Sequence, residues 1–457
     1  MTEDKKTKKI GRYTVVGRLG KGGMGSVYRV IMPVTGKMVA LKLLDPFETL
    51  VDVMGMDKVE AIFISEAVIM ARLRHPYIAD IWDFDYDEKG RPFFIMEYYC
   101  KNLGTMIGEH YQIERKSRVI SPEEVIHYGS QIIEGLACMH HAGVIHRDIK
   151  PFNIMITDLD TVKICDFGMS LQRGEKFPGP DTLKVGSAYY APPEQMQNPD
   201  SADERSDVYA VAVLLYRMLT GELVGMKSLS LSRVNPLYDS AWDRFFEKGL
   251  ALQPDSRFPD APAMLDALKH LEIHWENSKK QACRIRSGLG AGQTEAECKQ
   301  RNEPVRAAGV NAKKIFNVND LFQPRTYIAN RLERKTDEII IDHATGLLWQ
   351  FSGSDYSLDR QGADSYIDEL NTKKHAGYDQ WRLPSVNELL SLIYESTSLE
   401  SHCAPQYFEP TKKWFWSCDW RSKTTAWYVN MDMGFTGWQD SHCYCYVRAV
   451  ALVSGAI

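Results

Sequence analysis

No stretch of the sequence reaches the roughly 18 uncharged apolar residues that a membrane-crossing helix needs. The N-terminal Met1-Thr2-Glu3-Asp4-Lys5-Lys6 leads into no apolar core of a secretion signal. These two absences lead us to expect a cytoplasmic protein without a membrane anchor. Charge of one sign is scarce as well. A formal net charge of −5 over 457 residues creates no global field that would favour nucleic acid or an anionic membrane as partner. The basic cluster Lys5, Lys6, Lys8 and Lys9 lies in a polar tail and is read as solvated. Cysteines are few and irregularly spaced. Nine of them, an odd count, do not form the disulfide framework of a small secreted domain, so reduced thiols are expected. No repeat of solenoid type is present.

What is present suits a soluble chain with more than one core: 44% hydrophobic and 25% charged residues over a length that suggests two or three domains. From Tyr13 to about Leu103, β-rich runs such as Tyr13-Thr14-Val15-Val16 and Met38-Val39-Ala40-Leu41 alternate with glycine-bearing turns, and one helix is expected over Glu60 to Leu73. At Ser121-Pro122-Glu123-Glu124 a cap, a first-turn proline and a capping-box glutamate open a mostly helical lobe. A composition shift after Trp275 marks a linker, and after about Arg325 a separate β-containing domain dense in tryptophan, tyrosine and glycine begins.

The first domain carries the legible chemistry. Leu19-Gly20-Lys21-Gly22-Gly23-Met24-Gly25-Ser26-Val27 lies between two strands, where glycines at 20, 22 and 25 let a hairpin backbone close over phosphate oxygens. A Rossmann loop would instead open a helix. About 20 residues on, Val39-Ala40-Leu41-Lys42 places a lysine among apolar neighbours, where it needs an anionic partner, and Glu66 on the following helix is the candidate. Further along, Val144-Ile145-His146-Arg147-Asp148-Ile149-Lys150-Pro151-Phe152-Asn153 sets proton-accepting and metal-ligating groups in one loop, and Asp166-Phe167-Gly168 follows with another carboxylate.

This set resembles the signature of protein kinases over Tyr13 to Leu271. The resemblance implies a two-lobed kinase fold of α+β class at 13–272, with an N-lobe at 13–100 and a C-lobe at 101–272, behind a polar tail at 1–12. It implies ATP and Mg²⁺ as cofactors and protein substrates as partners. Gly20, Gly22 and Gly25 would cover the ATP phosphates, Val27 would belong to the ATP-binding set, and Lys42 would bind the α/β-phosphates while paired with Glu66. Asp148 would orient the substrate hydroxyl, and Asn153 and Asp166 would hold Mg²⁺. Lys150 resembles the lysine that serine/threonine kinases place on the γ-phosphate, which favours Ser or Thr hydroxyls. Met96 resembles the gatekeeper, with Glu97 to Tyr99 as the hinge beneath adenine.

Gly186-Ser187-Ala188-Tyr189-Tyr190-Ala191-Pro192-Pro193-Glu194 resembles the end of an activation segment, with Pro192-Pro193-Glu194 in place of the usual Ala-Pro-Glu. Thr182 and Ser187 are candidate phosphorylation sites there, because Arg147 beside Asp148 would give a phosphate a strong partner. Glu194, Asp207 and Arg257 are assigned to architecture. A pseudokinase scaffold is the alternative, although Lys42, Glu66, Asp148, Asn153 and Asp166 are all in place.

The last domain, 325–457, follows a linker read at 273–324. Its segments Ile341-Asp342-His343-Ala344-Thr345-Gly346-Leu347-Leu348-Trp349, Gly377-Tyr378-Asp379-Gln380-Trp381-Arg382-Leu383-Pro384 and Tyr446-Val447-Arg448-Ala449-Val450 resemble a bacterial C-type-lectin-like family related to formylglycine-generating enzyme. That implies a mixed α/β scaffold that binds an unknown protein or glycan. Trp349, Trp381, Trp414 and Trp416 are expected in the core. Trp420, Trp427, Trp438, Asp440, His442, Tyr444 and Tyr446 are expected on a recognition surface. Two sharper alternatives are a surface diversified by retroelements and a zinc site drawn from His402, Cys403, Cys418, His442, Cys443 and Cys445.

Overall fold

The alternation that begins at Tyr13 forms strands whose inward positions, Tyr13, Val30, Val39, Leu41, Leu43, Phe93 and Ile95, share one core. In this computed structural model, residues 8–109, 113–176, 186–225, 230–236, 238–285, 300–394, 408–409 and 411–453 are described. Strands β1 (Lys9–Ile10), β2 (Tyr13–Lys21), β3 (Gly25–Ile31), β4 (Met38–Leu44), β5 (Ile81–Tyr86) and β6 (Pro92–Glu97) make a sheet of order β1-β2-β3-β4-β6-β5. Every pair in it is antiparallel. Between β4 and β5 run α1 (Glu48–Met54) and α2 (Met56–Arg72). The buried face of α2 carries Val59, Phe63, Glu66 and Met70, a helical stripe with one carboxylate in it.

The mostly helical part contains β7 (Lys101–Asn102), α3 (Leu103–Ile107), α4 (Pro122–His141), β8 (Val144–Ile145), β9 (Ile154–Ile156), β10 (Val162–Ile164), β11 (Leu171–Gln172), α5 (Pro193–Gln197), α6 (Glu204–Thr220), α7 (Leu231–Val234), α8 (Ser240–Gly249) and α9 (Ala261–Ile285). Helix α6 is its axis. Every residue from Ser206 to Thr220 is buried, so the helix is covered on all sides. It starts at an Asp203/Ser206 capping box and stops at Gly221, whose φ of 73° favours glycine and where a Cβ would stand 2.7 Å from the Ser117 carbonyl oxygen.

Later come α10 (Gly309–Phe316), β12 (Leu332–Arg334), β13 (Ile339–Asp342), β14 (Leu347–Gln350), α11 (Arg360–Thr372), α12 (Val386–Ser391), β15 (Trp414–Trp420), β16 (Thr425–Asn430), β17 (Phe435–Asp440) and β18 (Val450–Leu452). They build a four-stranded sheet β12-β13-β14-β18 and a three-stranded sheet β15-β16-β17. The chain divides into two units, Met1–Val119 with Glu124–His274, and Ile120–Glu123 with Trp275–Ile457.

Three sequence expectations need correction. The segment read as linker supplies Ala307, Ala312, Phe316, Val318 and Phe322 to the core of the second unit. Its apolar positions are mostly small and aperiodic, so composition hid them. Trp427, expected at a surface, is fully buried and donates its Nε1–H to the Ala307 carbonyl at 3.0 Å. Cys100 and Cys443 each take part in a disulfide rather than standing as thiols, whereas Cys138, Cys165, Cys418 and Cys445 keep their thiols. Among the described residues no helix is long and apolar enough to cross a membrane.

Candidate active site

Lys42 stands on β4 in a run that is otherwise apolar, and it is 8% exposed. Its ammonium donates to Glu66 Oε1 at 2.6 Å, to Glu66 Oε2 at 2.9 Å and to Asp166 Oδ1 at 2.8 Å. Three elements, β4, α2 and the loop after β10, therefore meet at one cation. Burial opposes the charged ammonium, yet the two carboxylates hold Lys42 protonated well beyond its ordinary range. The Lys42 ammonium in turn holds the Asp166 carboxyl down at about 2. Burial first, and then the neighbouring Asp166 carboxylate, drive Glu66 upward against the pull of Lys42.

The loop between β8 and β9 brings the remaining groups in. Asp148 Oδ2 accepts from Lys150 Nζ at 2.6 Å and from Asn153 Nδ2 at 3.0 Å, and Oδ1 accepts from Ser187 Oγ at 2.9 Å. Arg147, at φ 68°, and Asp166, at φ 67°, both occupy the left-handed region, which costs a non-glycine residue on the order of 1–2 kcal/mol. Asp207 on α6 offsets that cost at Arg147. Its Oδ1 accepts the Arg147 N–H at 2.8 Å, and its Oδ2 accepts the His146 N–H at 2.8 Å and His140 Nε2 at 2.9 Å.

His146, fully buried, links this loop to the one bearing Asp166. Its Nδ1 accepts the Asp148 N–H at 3.2 Å, which leaves the proton on Nε2 to donate to the Cys165 carbonyl at 3.2 Å. Sequence reasoning quoted His146 only in passing and did not name His140. A histidine before the Arg-Asp pair is too common a residue to announce this role by itself.

The segment ending at Glu194 packs tightly beneath. Gln195 Nε2 donates to the Arg147 carbonyl at 2.7 Å, and a Cβ on Gly186 would fall 2.8 Å from that same oxygen, so only glycine fits. Glu194 is gripped by Arg257 through two bonds of 2.7 and 2.8 Å. Thr182 lies outside the described residues.

Packing does not demand the first two glycines of the hairpin. A Cβ on Gly20 would meet nothing within 4 Å and one on Gly22 only a backbone oxygen at 3.9 Å. Gly25 differs, since its Cβ would stand 2.6 Å from the Leu43 carbonyl, so close strand packing also demands glycine there. Val27 pairs with Lys42 across the β3–β4 ladder, and Met96 pairs with Ala40 across β4–β6. Glu97 accepts from Tyr99 Oη at 3.1 Å just beyond.

A divalent cation fits the groups present. Asn153 commits its amide nitrogen to Asp148, which leaves its oxygen as the ligating atom, and the Asp166 side chain is 44% exposed with Oδ2 not engaged by Lys42. One carboxylate and one amide oxygen suit Mg²⁺, which fills its shell with phosphate oxygens and water.

In the second unit Trp349, Trp381, Trp414 and Trp416 are buried. Of the surface candidates, Trp438 is 37% and Tyr444 47% exposed, and the His442 side chain is largely exposed. Trp420 is half-buried under the Arg360 guanidinium, and Tyr446 packs on Phe415. Asp440 is buried and accepts both the N–H and Nδ1 of His442. These last three therefore support the surface more than they form it. For zinc, His402 and Cys403 lie outside the described residues. Cys443 is oxidised, and among the described residues no group of three or more His, Cys, Asp or Glu could hold a metal.

A family described as the protein kinase domain matches residues 13–256, and one described as the Lcl C-terminal domain, formylglycine-generating-enzyme-related and C-type-lectin-like, matches residues 338–451. A probable serine/threonine-protein kinase of Clostridium acetobutylicum is 30% identical over 289 residues, 60% of this chain and 42% of its own length. Pkn3 of Myxococcus xanthus is 32% identical, covering 56% and 49%, and PknL of Mycobacterium tuberculosis 33%, covering 55% and 64%. The chain thus spans about half the length of the curated relatives it matches. The crystal structure of the PknI kinase domain of Mycobacterium tuberculosis aligns with a TM-score of 0.44 at 25% identity, covering 58% of this chain and 97% of that one.

Proposed function

The chain belongs to the protein kinase family, and from that premise we propose that it is a serine/threonine protein kinase that transfers the ATP γ-phosphate to protein hydroxyls, its own included. The observation that carries the reading is the meeting of Glu66, Lys42 and Asp166 within 3 Å of one ammonium, in a cleft that Asp148 also serves. Phosphoryl transfer asks little covalent chemistry of a protein. It asks for cations where charge spreads and a carboxylate that aims the nucleophile.

In this reading Lys42 neutralises the α/β-phosphates, held upright by Glu66. Asp148 accepts a hydrogen bond from the substrate hydroxyl and takes its proton as that oxygen bonds to the γ-phosphorus. The bond to the β-phosphate oxygen breaks and ADP leaves. Lys150, already 2.6 Å from Asp148, stands to meet the γ-phosphate. Ser187 steadies Asp148 from the other side, and Thr182 is the phosphate acceptor that would engage Arg147. Asn153 and Asp166 would hold Mg²⁺, which supplies charge neutralisation to the triphosphate. The hinge from Met96 to Tyr99 would carry the adenine. Cytoplasmic ATP is the nucleotide this activity requires.

The second unit would bind a protein or glycan and so direct or inform the kinase, with Trp438, Tyr444 and His442 as its exposed contacts. Incubation of the purified full chain with labelled ATP and Mg²⁺ tests the enzymatic part. Label should enter Ser and Thr, and Asp148→Asn and Lys42→Met should each lose it while staying folded. Wild-type labelling by either variant, or no binding of magnesium nucleotide by folded protein, would overturn the assignment.

A further inference from the structure

The glycine-rich hairpin is fastened from outside. Asp45, the first residue after β4, accepts a hydrogen bond from Ser26 Oγ at 2.7 Å and lies 3.2 Å from Lys21 Nζ, so it grips both strands of the hairpin. The backbone joins in: Asp45 N–H donates to the Met24 carbonyl at 3.2 Å, and Phe47 N–H donates to the Gly23 carbonyl at 2.9 Å. Lys21 also lies over the Phe47 ring, 5.4 Å from its centroid. The gripping segment leads directly into α1 and α2, the helices before and at Glu66.

Fastened this way, the hairpin points one side chain inward. A Cβ on Gly168 would stand 2.4 Å from the Met24 methyl, 3.3 Å from Glu66 Oε2 and 3.6 Å from Asp166 Oδ1. The Met24 methyl therefore lies against Gly168, beside the Glu66 and Asp166 carboxylates around Lys42, where in the kinase reading the end of a triphosphate and its cation must come.

We propose that Asp45 is a positioning residue that latches the glycine-rich hairpin shut with Met24 as its plug, and that release of this latch governs nucleotide entry. The inference rests on the kinase reading above. A nucleotide enters only when the hairpin lifts and Met24 withdraws, so the Ser26–Asp45 and Lys21–Asp45 contacts must break first. A hydrogen bond to a charged group is strong enough to set a rate difference of about tenfold.

The test is stopped-flow association of Mg²⁺ and N-methylanthraniloyl-ATP with the full chain, alongside steady-state KM and kcat. Asp45→Ala should raise the association rate about tenfold. Ser26→Ala, which removes the same bond from the other partner, should raise it similarly, and the double variant should add little more. Asp45→Asn keeps an acceptor for Ser26 but not the charge for Lys21, and should fall between. Met24→Ala should also speed entry with the latch intact. An association rate within twofold of wild type for both Asp45→Ala and Ser26→Ala, or full additivity in the double variant, would sink the latch. If the wild type itself binds no nucleotide, the kinase reading fails instead.

Discussion

Replacing Asp207 by asparagine separates aim from binding in the proposed site. The carboxylate is buried and accepts three hydrogen bonds of 2.8, 2.8 and 2.9 Å, two of them from the backbone N–H groups of His146 and Arg147. A carboxamide has one accepting oxygen. In its better orientation it keeps His146 and His140 and turns an NH₂ toward the Arg147 N–H; in the other it loses two partners. Hydrogen bonds to a charged group contribute about 1.5–3 kcal/mol each, so a local loss of about 2–3 kcal/mol is expected, at the residue already strained at φ 68°. That corresponds to roughly 30- to 150-fold faster amide exchange at His146 and Arg147, at about 1.4 kcal/mol per decade. Asp148 follows Arg147 directly, and a misplacement of about 1 Å costs on the order of 10²-fold in rate. Hydrogen–deuterium exchange of the 144–150 peptide, single-turnover phosphate transfer and nucleotide affinity should be read together. Exchange and transfer should move, while affinity, which depends on Lys42, Glu66 and Asp166, stays within about twofold. Unchanged exchange, or affinity falling as far as the rate, would refute the reasoning.

Arg257→Met should destabilise the first unit by about 3–5 kcal/mol in chemical denaturation, because it strands Glu194 and leaves the Ala251, Arg205 and Leu252 carbonyls without their donor; a loss under about 1 kcal/mol would contradict it. Burial pushes the Cys165 thiol far up and the Cys418 thiol to about 12. At pH 8 both should resist iodoacetamide in the folded chain, with half-buried Cys138 modified before either, as peptide mass spectrometry would report. The Asp166 carboxyl, lowered by Lys42 to about 2, contributes stability that is complete above its unfolded value of about 4 and fades as pH falls from there toward 2. Acid titration of Asp166→Asn should lack that part of the transition, and an acid limb identical to wild type would count against the ion pair.

The residues proposed for phosphate chemistry could be picked out because that chemistry demands particular residue types in order along the chain: glycines between two strands, a lysine in an apolar strand, then two carboxylates and an amide in loops. Asp45 was not legible, since one aspartate after a strand resembles any loop residue until its contact with Ser26 is seen. Neither was the left-handed backbone at Arg147, a property of the bonds that Asp207 accepts from 60 residues away. In the second unit the core tryptophans of β14 and β15 followed from their apolar settings. Trp427 and Trp438 could not be told apart, and the register shows why. They sit opposite each other across β16 and β17, and therefore on one face of the sheet. Trp427 is on the middle strand, covered by Phe316, whereas Trp438 is on the edge strand with Phe322 at one side and Arg421 over its ring.

Where each unit places its buried charge argues for a division of labour. In the first, Glu66 and Asp166 converge on the Lys42 ammonium, and Asp166 stays partly open. In the second, buried charge is committed to holding irregular chain. Asp419 accepts Arg301 Nη1 and Nη2 at 3.0 and 2.6 Å and the N–H groups of Val305 and Val386 at 2.9 and 2.8 Å. Glu388 takes two bonds from Arg382, of 2.8 and 2.6 Å, and closes the capping box of α12. Asp342 accepts the N–H groups of Arg331 and Ala344, both at 3.0 Å, and the Thr345 hydroxyl at 2.7 Å. A carboxylate whose lone pairs are filled by its own loops fixes a shape and has nothing left to move a proton or hold an ion. Such a frame presents Trp438 and Tyr444 rigidly, and rigid aromatic rings bury area at low entropic cost. This arrangement of charge supports the proposed division, phosphate transfer by the first unit and binding by the second.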